Sequence, residues 1–124
     1  MKTEKYYKIK DLPFNKVLFW SYDFDKSELS LFLIMISVIE KGDLGDLFML
    51  FKIFSFQELH ETYFNEIRPM LSGEDKKYYK FRPDMKPDMK SVRLMDMIFK
   101  AIEKIKERQI NQINIINESN LNVA

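Results

Sequence analysis

The amino-acid sequence predicts an all-α fold, a single-domain bundle of four to five helices with a long C-terminal helix. Three observations lead there. Apolar residues recur at intervals of three and four along most of the chain, the period of a helix with one buried face. The ends of these runs carry residues that start and stop helices. A length of 124 residues with 46% hydrophobic content suits one compact domain rather than two. The helical domain is expected over residues 1–117, with 1–10 a candidate flexible arm and 118–124 a disordered tail.

Each element follows from its own residues. The opening MKTEKYYKIK is polar and aromatic. Residues 11–25 hold Pro13 and the aromatic set Phe14, Phe19, Trp20, Tyr22 and Phe24; no helical period fits them, which predicts an ordered extended or short helical segment packed on the bundle. Ser27 is a candidate N-cap with Glu28 in the first turn. The helix it starts is expected to run to Lys41, where Gly42 supplies a left-handed terminating residue. Its apolar residues go almost all round, as in a central helix. Asp43 caps a second helix reaching Phe54, with Leu44, Leu47, Phe48, Leu50, Phe51 and Phe54 at helical spacing.

The string Ser55-Phe56-Gln57-Glu58 is a capping box that opens a third helix with Leu59, Tyr63, Phe64 and Ile67 on its apolar face. Pro69 is expected to end it, since the residue before a proline is pushed out of the helical region. Ser72 is a candidate cap for a short helix to Phe81. The doublet Pro83-Asp84-Met85-Lys86 and Pro87-Asp88-Met89-Lys90 then reads as an irregular connector. The last helix is expected from near Ser91 to about Asn117, with Leu94, Met95, Ile98, Phe99, Ile102 and Ile105 on one face. Past Gln109 the Asn, Gln and Ile text lowers helix propensity, and the apolar stripe is expected to leave register.

Composition narrows the function classes. With no cysteine, a disulfide scaffold, a Cys-ligated zinc or iron–sulfur site and a thiol nucleophile are excluded. Neither a signal peptide nor a spanning segment is legible. The most apolar run, Leu29 to Ile39, has eleven residues, whereas a helix needs about 20 to cross a bilayer. A cytoplasmic protein is expected. The net charge of +1 conceals a division: residues 1–16 sum to +3, residues 17–75 to −7 and residues 76–108 to +6. Such halves either attract each other or present faces to charged partners.

No reading of the residues yields a catalytic centre. His60 is the only histidine, and a lone histidine on a Glu-rich helix is most often a surface residue. Asp23, Asp25, Asp43 and Asp46 could converge on Mg²⁺, but capping and turn formation account for them equally well. Walker, dinucleotide and HExxH motifs are absent, and no cofactor, metal or small-molecule substrate is implied. A helix-turn-helix over residues 43–67 would present Glu58, Glu61 and Glu66 to phosphates, the wrong charge for a recognition helix. If nucleic acid binds, Lys76, Lys77, Lys80, Arg82, Lys86, Lys90 and Arg93, interleaved with Tyr78, Tyr79 and Phe81, are the candidates. The aromatic group with Trp20 and Tyr22 either completes the core or anchors a protein partner, as Trp and Tyr often do.

The string Leu18-Phe19-Trp20-Ser21-Tyr22-Asp23-Phe24-Asp25-Lys26, followed by Val38-Ile39-Glu40-Lys41-Gly42-Asp43-Leu44-Gly45-Asp46, resembles a family of small, functionally uncharacterised bacterial proteins. Its members carry an LFW-x-x-D-x-D segment and a helix ending in [VL]-[IL]-E-x-G-[DT]-x-x-D. They are often encoded beside nucleotidyltransferase-like toxins of the abortive-infection type. The likeness spans roughly residues 12–68 and implies an antitoxin or accessory partner, with no catalytic residue to carry over. The PDMK connector and the basic last helix depart from the family pattern. The expectation is therefore a non-enzymatic protein-interaction module whose partner, a toxin-like protein or a second copy, meets Trp20, Tyr22, Glu58, Glu61 and Glu66. The alternative is a nucleic-acid-binding regulator using residues 76–108.

Overall fold

Helices account for most of the chain in the computed structural model, which describes residues 5–74 and 87–121, with side chains to residue 115. A two-stranded sheet is the one departure from an all-α architecture among the described residues. The chain falls into two compact units, Met1–Asp88 and Met89–Ala124.

The first unit opens with β1 (Tyr6–Lys8), antiparallel to β2 (Glu28–Ser30) in the register Tyr6 to Ser30, Tyr7 to Leu29 and Lys8 to Glu28. Residues 5–10 are thus part of the fold, not a free arm. The pairing sets Lys8 opposite Glu28, a favourable cross-strand charge pair. The Tyr7 ring meets the Phe54 ring edge-on at 5.1 Å, and Ile9 just beyond the strand is fully buried. Two 3-10 turns, Ile9–Asp11 and Lys16–Phe19, carry the chain through the aromatic segment.

Sheet formation also moves the start of the first helix. Ser27 does not cap; its carbonyl accepts from the Ile9 N–H and its own N–H donates to the Asp23 carbonyl. With Glu28–Ser30 committed to the strand, α1 (Leu31–Lys41) begins three residues later, capped by Ser30, whose hydroxyl accepts from the Leu33 N–H. It buries Ile34, Met35 and Val38 and packs against α2, α3 and the Lys16–Phe19 turn, the central position its sequence predicts.

Gly42 ends α1, but for a different reason from the expected one. Its φ of −82° is ordinary backbone. What excludes a side chain is crowding: a Cβ would stand 2.6 Å from the Val38 carbonyl oxygen and 3.0 Å from the Asp46 Cβ. Gly42→Ala is expected to cost about 1 to 3 kcal/mol, as overpacking does; urea unfolding checks this, and an unchanged midpoint would mean that the corner opens freely.

Directly after it, α2 (Leu44–Ile53) starts in a complete capping box: Asp43 accepts from the Asp46 N–H and Asp46 accepts from the Asp43 N–H, both at 2.9 Å. Leu47, Leu50 and, at the C-cap, Phe54 are buried. The next helix, α3 (Phe56–Thr62), begins at Ser55, whose hydroxyl accepts from the Glu58 N–H at 3.2 Å. Only half of the predicted box forms there; the Glu58 carboxylate lies 3.8 Å from the Lys5 ammonium.

Pro69 does not end this helical run. The chain passes from α3 into a π-helical turn, Tyr63–Ile67, and on into α4 (Arg68–Leu71). In the wide turn the Arg68 N–H reaches back five residues to the Tyr63 carbonyl. Pro69 then falls in the first turn of α4, where a missing N–H costs nothing. The run closes at Gly73, whose φ of 85° lies in the left-handed region that glycine adopts without strain. Ser72 therefore terminates a helix, its hydroxyl donating to the Pro69 carbonyl. The predicted helix to Phe81 and most of the PDMK connector lie outside the described residues.

The second unit is α5 (Met89–Leu121), 33 residues long. It starts two residues before Ser91 and runs through positions 118–121, which the sequence assigns to a tail. Val92, Met95, Ile98 and Phe99 are buried, Ile102 is half-buried, and every side chain from 103 to 115 is exposed. No helix among the described residues is long and apolar enough to cross a membrane.

Candidate partner-binding surface

The Lys16–Phe19 turn sorts its aromatic residues sharply. Asn15 opens it, its side-chain oxygen accepting from the Val17 N–H at 3.0 Å. The tight turn sends Leu18 and Phe19 inward against α1, while Val17 points out and Trp20, at the C-cap, is 72% exposed. Phe14 supports Phe19 from the side, ring edge to face at 6.4 Å. Tyr22 is half-buried and its N–H donates to the Phe19 carbonyl.

The Trp20 ring is not loose. The Lys41 ammonium, from the last residue of α1, sits 4.9 Å from its centroid, a cation–π arrangement that adds modestly to stability at an exposed site. Three residues beyond Lys41, Leu44 is exposed on α2, and Phe48 is exposed one turn further. Three residues of chain span at most about 11 Å, so Leu44 lies near the same end of the unit as Trp20. Trp20 and Lys41 thus bring an aromatic ring and a cation together at the surface.

The acidic candidates sit on other elements. Glu58 and Glu61 are half-buried on α3, and Glu66 is exposed on the π-helical turn. Glu58 is shared with Lys5, and Glu61 accepts from the Gln57 amide at 3.3 Å. His60 is stacked between Phe56 and Phe64, with ring centroids 5.5 and 4.4 Å away. Three of the four aspartates weighed as a cation site use their carboxylates locally: Asp23 accepts from the Asp25 N–H, and Asp43 and Asp46 close their capping box. Among the described residues no group of three metal-capable side chains comes together.

Of the basic candidates, Lys90 and Arg93 are exposed on α5. Arg93, Lys100 and Lys104, with Asp96, Met97 and Ala101, border a shallow depression along that helix. Lys76, Lys77, Lys80, Arg82 and Lys86 lie outside the described residues.

Sequence reasoning singled out Trp20 and missed Leu44, Phe48 and Lys41. The α2 sequence carries two apolar lines, Leu47 with Leu50 and Leu44 with Phe48, and spacing alone does not say which one faces water. Comparison of the chain with family models, with curated proteins and with solved structures gave no match.

Proposed function

We propose that this chain is a non-enzymatic protein-interaction module that docks a protein partner through the surface built on Trp20. The observation that carries this reading is a tryptophan 72% exposed immediately after a fully buried phenylalanine. Leaving so large a ring in water forgoes the gain from burying it, and tryptophan is among the residues that dominate interface energetics. Val17, Leu44 and Phe48 are further exposed apolar residues of the same unit. The most concrete form of the proposal is the antitoxin or regulatory half of a pair with a nucleotidyltransferase-like toxin in the cytoplasm. The LFWSYDFD resemblance motivates it. So does the charge of −7 over residues 17–75, which would complement the basic groove of a nucleic-acid-modifying enzyme.

The experiment is an affinity capture of the tagged chain from its host at moderate salt, with bound species identified by mass and their affinities remeasured on purified components. A stoichiometric toxin-like companion is expected. Trp20→Ala should weaken it at least about tenfold, as loss of an interface anchor does. Reversing Glu58, Glu61 and Glu66 together to lysine should slow association and flatten its salt dependence. Unchanged binding by both variants overturns the proposal. The second reading, nucleic acid on the basic segment, is favoured by the exposed Lys90, Arg93, Lys100 and Lys104 on α5. It requires co-purifying nucleic acid that salt releases steeply, and loss of binding when Lys76, Lys77 and Lys80 are replaced.

A further inference from the structure

A different surface carries a further inference, and it starts from the uncovered half of α5. At about 1.5 Å per residue the helix is about 50 Å long. Its apolar face does not stop where its burial stops. Eighteen residues make five helical turns, so Ile113 falls on the same line as Met95, and Ile110 on the line of Val92. Ile105 follows Ile98 by one heptad, a drift of about 20°. The stripe that the sequence reading expected to leave register past Gln109 therefore continues. It continues in water: Ile105, Ile110 and Ile113 are 52, 57 and 56% exposed. An Asn-, Gln- and Ile-rich stretch has low intrinsic helix propensity, and a helix of that kind is held chiefly by what packs on its apolar face.

We propose that a second copy of this chain covers this face, with the two α5 helices pairing antiparallel about a two-fold axis at Gln109. The spacing selects that occupant. Ile102, Ile105, Gln109 and Ile113 are followed in the sequence by Ile116, giving steps of three, four, four and three that read identically in both directions. In a two-fold interface, residue i meets j and j meets i. With the axis at Gln109, Ile105 meets Ile113 of the second copy, twice, and positions 102 and 116 fall level with one another. Gln109 meets itself, a polar layer of the kind that fixes register in coiled coils.

The charge distribution fits the same orientation. Every charged residue between 103 and 117 falls in 103–108, whereas 109–117 carries none. Antiparallel pairing sets Lys106 and Arg108, which flank this face, beside the uncharged half of the other copy. Parallel pairing would instead set the two charged segments, each with a net charge of +1, level with one another. Two heptads make a short seam, so the dimer forms with rising concentration rather than being permanent.

The absence of cysteine makes the test direct. In the full-length chain, under mild copper-phenanthroline oxidation, Gln109→Cys is expected to cross-link to itself. An equimolar mixture of Ile105→Cys and Ile113→Cys should give the mixed disulfide, while neither variant alone gives a dimer. Sedimentation should show a monomer–dimer equilibrium that Ile113→Asp abolishes and Ile115→Asp, on the opposite face, retains. Self-cross-linking of Ile105→Cys, which means parallel pairing, overturns the proposal; so does a wild-type chain still monomeric at about 1 mM.

Discussion

Phe19→Ala is expected to destabilise the first unit by about 3 to 5 kcal/mol, the range for removing a buried aromatic side chain, while Trp20→Ala one residue later should cost below about 1 kcal/mol. The contrast isolates burial from residue type. Phe19 is fully buried beneath the 3-10 turn and touches Phe14 edge-on; truncation loses its transfer free energy, leaves a cavity and breaks an aromatic pair. At Trp20 the loss is mainly one cation–π contact with Lys41. Urea unfolding of the two variants, read as midpoint shifts at constant slope, checks both figures. A Trp20→Ala protein as damaged as Phe19→Ala would mean that the ring is packed, and the proposed docking surface would lose its anchor. The two positions thus contrast a buried ring with an exposed one within a single dipeptide.

Where local chemistry decides an element, the sequence reading holds. Asp43 and Ser55 cap the helices assigned to them because each oxygen needs only a backbone N–H three residues away. Lys41 closes α1 as its pattern predicts. What escaped depends on partners distant in the chain. The β1–β2 pairing joins segments about 20 residues apart through three-residue strands, too short to show alternation, and it alone displaces the α1 start from Ser27 to Ser30. Pro69 misled for a related reason. A proline ends a regular α-helix, but a π-helical turn just before it lets the run restart with the proline where its missing N–H is harmless.

The candidate surface was legible as a list and not as a place. An aromatic cluster from Phe14 to Phe24 reads as core or as exposed surface, and only the turn geometry buries Phe19 and leaves Trp20 in water. Of the three acidic candidates, Glu58 and Glu61 are each engaged, by Lys5 and by Gln57. On α5 the error was one of phase. Ile110 and Ile113 look displaced when counted from Ile105, but counted from Val92 and Met95 they return to the same lines after five turns. A stripe counted over one heptad carries the drift of a straight helix; one counted over 18 residues cancels it.

Tyr63→Ala is the other substitution expected to cost about 3 to 5 kcal/mol. Tyr63 is fully buried at the point where α3 passes into the wide turn, and its ring meets Phe64 edge-on at 4.9 Å. Its carbonyl accepts the five-residue bond from Arg68, so side chain and backbone fix the same turn, and α1 packs on that turn. Tyr63→Phe keeps the ring and removes only the hydroxyl. No described buried side-chain oxygen lacks a hydrogen-bond partner, so that variant should lose about 1 kcal/mol, the net worth of one hydrogen bond. Denaturant unfolding separates the outcomes. A large loss for alanine with a small one for phenylalanine locates the energy in ring packing, whereas equal losses would place it in the hydroxyl. A domain of this size has a total stability of about 5 to 15 kcal/mol; Phe19→Ala and Tyr63→Ala combined should leave the first unit largely unfolded. Both turns pack on α1; if each effect arises from its own cavity, the two should add, and an excess over the sum would mean that α1 transmits one defect to the other.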